Sequence, residues 1–383
     1  MTMSRHKTRH KGPVITMLWN TALEVRTRVA VGAGARQKLS GILAQINAGK
    51  RVLVLCQPTT AVHWLREVLQ AIPSEDYQVT TLEVPDGESC KTTDWLLRIW
   101  EHLQERRFDR RDTVVALGGG SVTDLAGFAA STYLRGLNLV IVPTSLLAQV
   151  DAAIGGKTAI NLPAGKNLAG TFFFPRAVLA DPEILSTLPR KQFTSGLAEI
   201  IKYALIEETV AKHTDYEVGQ RRLFDLLDQL VSNDIDYDDP IVSGLITSCI
   251  KMKLFVVGRD PHESGLRRVL NLGHTLGHAL EKVADYRLTH GECVAIGIAA
   301  ATKLSVAQKR ITKAEGEKIN NLLTSAGLPV DLPPNVDKEK IIASMSHDKK
   351  REGETLKLVL PQTRIGTVDY DVSLPMSELE KII

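Results

Sequence analysis

Glu199, His274 and His290 are residue types that can close a three-ligand site for a divalent cation. Two neutral imidazoles and a carboxylate suit Zn²⁺ and leave one coordination position open for a substrate oxygen. The three lie in GLAEIIKYALI and LRRVLNLGHTLGHALEKVADYRLTHGE, which also carry Lys202, Arg267, Asn271 and His278; Lys253 lies between the two segments. Such an excess of donors fits an anionic, hydroxyl-rich ligand. Spacing alone leaves the ligand set open. His274 and His278, at i and i+4, share a helix face and form an equally good pair, although HTLGH lacks the glutamate of the zinc-protease helix. A single histidine on a partly apolar helix is more often a hydrogen-bonded structural residue, and Glu199 with Lys202 reads equally as a surface pair. The stripe Leu197, Ile200, Ile201, Ala204 and Leu205 shifts that balance, because it brings the pair to a buried edge where charge needs partners. As a cluster these residues point to an enzyme.

Three loops can hold an anionic cofactor. GGGSVTD, from Gly118 to Asp124, follows the strand-like TVVAL and opens a helix, so Gly119, Gly120 and Ser121 can bring backbone N–H groups and a helix N-terminus to a phosphate. It is not GxGxxG, and alone it reads equally as a tight turn. DGESCK, with Asp86, Glu88 and Lys91, and PTS, with Thr144 and Ser145, follow neighbouring strands and line the same crevice. Together the loops point to a nucleotide site. VDAAIGGKTAINLPAGKN adds Asp151, Lys157, Lys166 and Asn167, with lysines beside glycines as a phosphate prefers. Leu146, Leu147, Val150 and Ile154 draw that loop against the core. Arg135 is a surface residue or another anion clamp.

The elements that must position these residues fall into two styles. From residue 50, RVLVLC, YQVTTLEVP, DTVVAL and NLVIVP read as strands separated by helical TTAVHWLREVLQAI and KTTDWLLRIWEHLQERRF. Continuous Val/Ile/Leu runs between helices predict a parallel sheet covered on both faces, with ligands beyond its carboxyl ends. From Lys191 to about Leu328 the periodicity is helical, and TLKLVLP with GTVDYDV predicts a final strand pair. The expected fold is an α/β nucleotide-binding domain with a Rossmann-like parallel sheet over 1–182, then a mostly helical metal and substrate domain over 183–383. Residues 1–20 are expected to be a flexible tail, and NDIDYDDP a solvated acidic loop.

A length of 383 residues suits two domains, and a net charge of +3 with no basic-aromatic stripe argues against nucleic acid. Cys56, Cys90, Cys249 and Cys293 form no CxxC pair, which favours free thiols in a reducing compartment. No signal peptide and no membrane span is expected, so the reading is a soluble cytoplasmic protein.

In order along the chain, DGE..K, GGG...DLAGF.A..Y.RG, PT.LLAQVD...GGKT.IN...GKN, GLAE.IKY, GLR..LNLGHT.GHA.E, HGE and DKK resemble the 3-dehydroquinate synthases among the sugar-phosphate cyclases, from about Pro85 to Leu360. The resemblance implies an N-terminal domain that binds NAD⁺ and a metal, zinc or alternatively cobalt, in the helical half. It implies Glu199, His274 and His290 as ligands, with His278 turned to substrate instead. Asp86, Glu88, Lys91, Gly119, Gly120, Ser121, Asp124, Thr144, Ser145 and Thr187, with Lys157 and Lys166, match nucleotide positions. Asp151, Lys157, Lys166, Asn167, Lys202, Lys253, Arg267, Asn271, His278 and Lys350 match substrate positions, and Arg135 is a candidate to reach in from another subunit of a homodimer. SVTD and PTS depart from the usual pattern, although Ser145 keeps a hydroxyl; QPTT, after RVLVLC, lacks an acid for the adenosine ribose. The implied reaction converts 3-deoxy-D-arabino-heptulosonate 7-phosphate to 3-dehydroquinate and phosphate, on the route to aromatic amino acids. It runs by transient oxidation, phosphate elimination, reduction and aldol closure. Arg267 with Lys253 would clamp the substrate carboxylate, which cyclases of neutral sugar phosphates have no need to hold.

Overall fold

The structure, a computed structural model, describes residues 14–20, 26–232, 239–347 and 355–383. Strands β1 (Ile15–Asn20), β2 (Arg26–Val31), β3 (Arg51–Cys56), β4 (Gln78–Glu83), β5 (Thr113–Gly118), β6 (Asn138–Pro143) and β9 (Ala177–Ala180) form one sheet in the order β1-β2-β9-β6-β5-β3-β4. All its pairs are parallel except β1 with β2. β5 and β6 are buried along their whole length, which is why they read as unbroken apolar runs. The chain steps outward from β3 to β4 and returns to the other side of β3 with β5. That reversal opens a crevice at the carboxyl ends of β3 and β5.

Two short elements escaped the sequence pattern. Ile15–Asn20, expected as part of a tail, is an edge strand paired with β2. The loop expected between Lys157 and Asn167 belongs to a hairpin of β7 (Lys157–Leu162) and β8 (Gly165–Phe172). The expected acidic loop lies mostly, and the candidate Lys350 wholly, outside the described residues.

Five helices matter for the site: α1 (Gly120–Thr132), α2 (Arg190–His213), α3 (Pro240–Arg259), α4 (His274–Val283) and α5 (His290–Ala307). β10 (Thr355–Pro361) and β11 (Val368–Pro375) pair as expected near the end of the chain. One face of the main sheet and the helical half share a single apolar core, from Val29 through Leu139 and Ile201 to Leu379; a second cluster, around Leu39, Val54 and Val142, covers the other face. Contrary to the sequence reading, α3 is long and apolar enough to cross a membrane, with a mean hydropathy of 1.7. Its apolar residues are accounted for by packing against α2, since Leu245, Ile246, Ile250 and Val257 are fully buried.

Candidate active site and metal centre

Glycines set the distances between the helices that carry the three ligands. A Cβ on Gly297 of α5 would lie 1.9 Å from the Gly273 carbonyl oxygen at the start of α4, and one on Gly291 would lie 2.1 Å from the Ser195 carbonyl oxygen of α2. Gly273 itself has φ +78, a left-handed conformation open to glycine. α5 begins with a capping box in which Thr289 and Glu292 bond reciprocally, so His290 is held at the first helical position.

Ligand atoms of Glu199, His274 and His290 lie within 4.8 Å of one another. Both imidazole Nε2 atoms face Glu199 Oε1, at 3.5 Å for His274 and 3.4 Å for His290. The Nδ1 atoms have other partners, the Leu272 carbonyl oxygen at 3.1 Å for His274 and Glu281 Oε2 at 3.5 Å for His290. Glu199 is wholly buried, and neither of its oxygens meets a hydrogen bond of proper geometry. A buried carboxylate with two imidazole Nε2 atoms turned toward it fits a cation. His278 is not among the ligand atoms that lie within 4.8 Å of one another, although its ring is centred 5.2 Å from that of His274 and 6.0 Å from that of His290. The i, i+4 spacing therefore pairs His274 with a histidine outside that group.

Beside the trio lies a buried charge network. Asp151 accepts from Tyr203 Oη at 2.7 Å and from Lys253 Nζ at 2.8 Å, with Lys202 Nζ at 3.6 Å. Lys202 also pairs with Glu199. Burial alone would raise both carboxyls, but the Lys202 ammonium, with Lys253 for Asp151 and the imidazoles for Glu199, holds both well below the carboxylate range. Burial, with Lys202 and Arg267 nearby, brings Lys253 down to about 8 against the opposing pull of Asp151. Arg267, 1% exposed, donates to the Pro261 carbonyl at 2.6 Å and the Gly155 carbonyl at 3.1 Å. Asn271 and Lys157 both meet Glu263, at 2.7 and 2.5 Å. Lys166 meets Glu281 at 2.8 Å and lies 3.8 Å over the Tyr286 ring.

On the nucleotide side, a Cβ on Gly118 would strike Val122 at 2.7 Å, while those on Gly119 and Gly120 would reach Ser145 Oγ and Ala152 at 3.4 Å. This is a close cradle at a helix N-terminus, fit for a pyrophosphate. Lys91, buried, pairs with Asp124 at 2.7 Å and with Asn167 Oδ1. Ser121 donates to Glu88 at 2.6 Å, and Thr59 Oγ1 donates to Asp86 at 2.6 Å, so an acid from the next loop serves the QPTT turn. Thr144 donates its N–H to the Gly118 carbonyl at 3.0 Å. Thr187 accepts from Trp64 Nε1 at 2.7 Å. Asn167, expected with the substrate, lies where the two sets meet. Arg135 is exposed in a left-handed turn (φ 66) before the amino end of β6, away from the carboxyl-end loops.

Three residues with a part in this geometry escaped the sequence reading: Tyr203, Glu263 and Glu281. Glu281 carried a signal, lying seven residues after His274 and so on the same helix face. Glu263 carried none, and Tyr203, though the tyrosine of GLAE.IKY, was not singled out because its partner Asp151 lies in another segment.

Comparison with known proteins supplies the remaining context. Residues 81–195 match the family model for the 3-dehydroquinate synthase N-terminal region, and 196–351 that for the C-terminal region. The 3-dehydroquinate synthase of Nostoc punctiforme is 40% identical over 372 residues, covering 96% of this chain and 99% of that protein. That of Thermosynechococcus vestitus is 41% identical, over 88% and 90%. Among solved structures, 2-deoxy-scyllo-inosose synthase complexed with carbaglucose-6-phosphate, NAD⁺ and Co²⁺ aligns with TM-score 0.82 at 25% identity, over 96% of this chain and 99% of that one. The 2-epi-5-epi-valiolone synthase of Streptomyces hygroscopicus with NAD⁺ and Zn²⁺ aligns with TM-score 0.77 at 26% identity, over 87% and 89%.

Proposed function

The chain belongs to the 3-dehydroquinate synthase family, and on that premise we propose that it converts 3-deoxy-D-arabino-heptulosonate 7-phosphate to 3-dehydroquinate and phosphate with NAD⁺ and a divalent ion, zinc or cobalt. The observation that carries the reading is the Glu199–His274–His290 trio opening onto Lys202, Lys253 and Arg267. When bound, the ion supplies Lewis acidity toward substrate hydroxyls and NAD⁺ reversible hydride acceptance.

The chain's own residues bind, orient and manage protons. Gly119, Gly120, Ser121, Asp86, Glu88, Lys91, Asp124, Thr144, Ser145 and Thr187 hold the nucleotide. Arg267 and Lys253 take the substrate carboxylate, to which a guanidinium fork is matched. Asn271, His278, Lys157 and Lys166 take the phosphate, joined by Lys350 and, from the second subunit of a homodimer, Arg135. Asp151 keeps Lys202 and Lys253 charged and accepts from a substrate hydroxyl. It is a poor base, because those ammonium groups hold its proton off. Burial would raise Glu263 and Glu281, but Lys157 with Asn271, and His290 with Lys166, keep these carboxyls low as well. None of Asp151, Glu199, Glu263 and Glu281 is poised to take a proton near neutrality. That supports elimination in which the departing phosphate's own oxygen removes the neighbouring C–H proton. Four free cysteines, all buried, suit a reducing cytoplasm.

Phosphate release from the keto-acid phosphate, with catalytic NAD⁺ and with or without a chelator, tests the reading. Release without accumulation of NADH, abolished by the chelator, is expected. NADH formed in step with turnover would instead indicate an alcohol dehydrogenase and overturn it.

A further inference from the structure

We propose that Glu281 is a positioning residue shared by the metal centre and the anion site: its carboxylate fixes the His290 ring with Nε2 toward Glu199 and anchors Lys166. The inference rests on reading Glu199, His274 and His290 as metal ligands. His274, His278 and Glu281 follow at i, i+4 and i+7 on α4, so one helix face presents a ligand, a substrate-facing histidine and this acid in a row. Glu281 Oε2 lies 3.5 Å from His290 Nδ1, and Oε1 lies 2.8 Å from Lys166 Nζ.

An imidazole can ligate through either nitrogen, and the partner of one decides which lone pair the other presents. For His274 the Leu272 carbonyl oxygen, two residues away on the same backbone, makes that choice. For His290 the group facing Nδ1, at 3.5 Å, is the carboxylate of Glu281, from a different helix. A proton kept on Nδ1 leaves Nε2 free for the ion, and the anionic acceptor strengthens Nε2 as a donor of electrons. The same carboxylate lies between Lys166 and the His290 ring, neutralising the ammonium on the side toward the cation. Without it, Lys166 would lose its ion pair and keep the contact with the Tyr286 ring.

Zinc affinity of the full chain, measured by competition with a chelator, tests this with Glu281→Gln, Glu281→Ala and Lys166→Met. Both Glu281 variants are expected to bind zinc roughly 10- to 100-fold more weakly, whereas Lys166→Met stays within about threefold of the parent. Metal-free melting midpoints of the Glu281 variants should match the parent, which separates positioning from general support of the fold. If Glu281→Gln fails to fold, Glu281→Ala carries the same test. Parent-like zinc affinity in a folded Glu281 variant overturns the proposal, as does an equal zinc loss in Lys166→Met. A parent chain that binds no zinc overturns the metal reading beneath it.

Discussion

A buried charge persists only where its neighbours repay the lost hydration, so Arg267, Lys202 and Lys253 at 1–5% exposure mark where an anion belongs. Arg267 spends two of its five donors on the Pro261 and Gly155 carbonyls, which aim the guanidinium and leave the rest for a ligand. Arg267→Ala is expected to cost about 2–5 kcal/mol of transition-state binding, roughly 30-fold to several thousand-fold in kcat/KM, with zinc content unchanged. Normal turnover in that variant would remove the reason for an acidic substrate. Lys253 loses its proton near pH 8 in the free enzyme, so kcat/KM should fall as pH rises through about 8. The fold should not follow. With the folded pKa depressed, the unfolded chain holds more protons above pH 8, so this group's contribution to stability grows with pH from there toward the ordinary lysine value. Activity and melting midpoint measured together from neutral to alkaline pH separate the two effects. At this scale the sequence displayed the chemistry but not all the pairings. Glu199, His274 and His290 were legible by type and motif, whereas Glu263 and Tyr203 matter through partners more than 50 positions or a whole turn of loop away.

The helices gather those side chains only because glycine lets their backbones touch. Gly297 has a carbonyl oxygen 1.9 Å from where a Cβ would be, and no side chain can yield there, since the three nearest atoms all belong to the Gly273 main chain. Gly297→Ala should therefore force α5 away from the start of α4, destabilise the fold by about 1–3 kcal/mol and weaken zinc binding. Denaturant titration and zinc content check both effects; a stable variant with full zinc would mean the helices are not held at that contact. Elements with strong periodicity were legible in advance: RVLVLC, TVVALG and NLVIVP became β3, β5 and β6 because burial on both faces leaves them uniformly apolar. β1 and β8 were not. Ile15 and Leu18 are 43% and 57% exposed on an edge strand, and β8 is largely exposed along its length, so neither has a buried face to impose alternation.

At the scale of the whole molecule, the two expected domains share an apolar core that runs from the sheet's inner face through α2, α3 and α5 to Leu379. A perturbation in the helical half should therefore reach the sheet. Tryptophan makes this measurable: Trp64, Trp95 and Trp100 pack in the sheet half and Trp19 lies in β1, whereas the candidate metal ligands all lie in the helical half. An ion that binds only the folded chain stabilises it by about 2.7 kcal/mol at a free concentration one hundred times its dissociation constant. Removing it also leaves the buried Glu199 carboxylate to its ion pair with Lys202, with no well-formed hydrogen bond among the described residues. Stripping the ion with a chelator should lower the melting midpoint by several degrees, and tryptophan emission and far-UV circular dichroism should shift together. If the halves melt independently, chelation will move the circular dichroism transition and leave the tryptophan transition where it was. A shared shift means that metal loading holds the sheet half and the helical half in one cooperative unit.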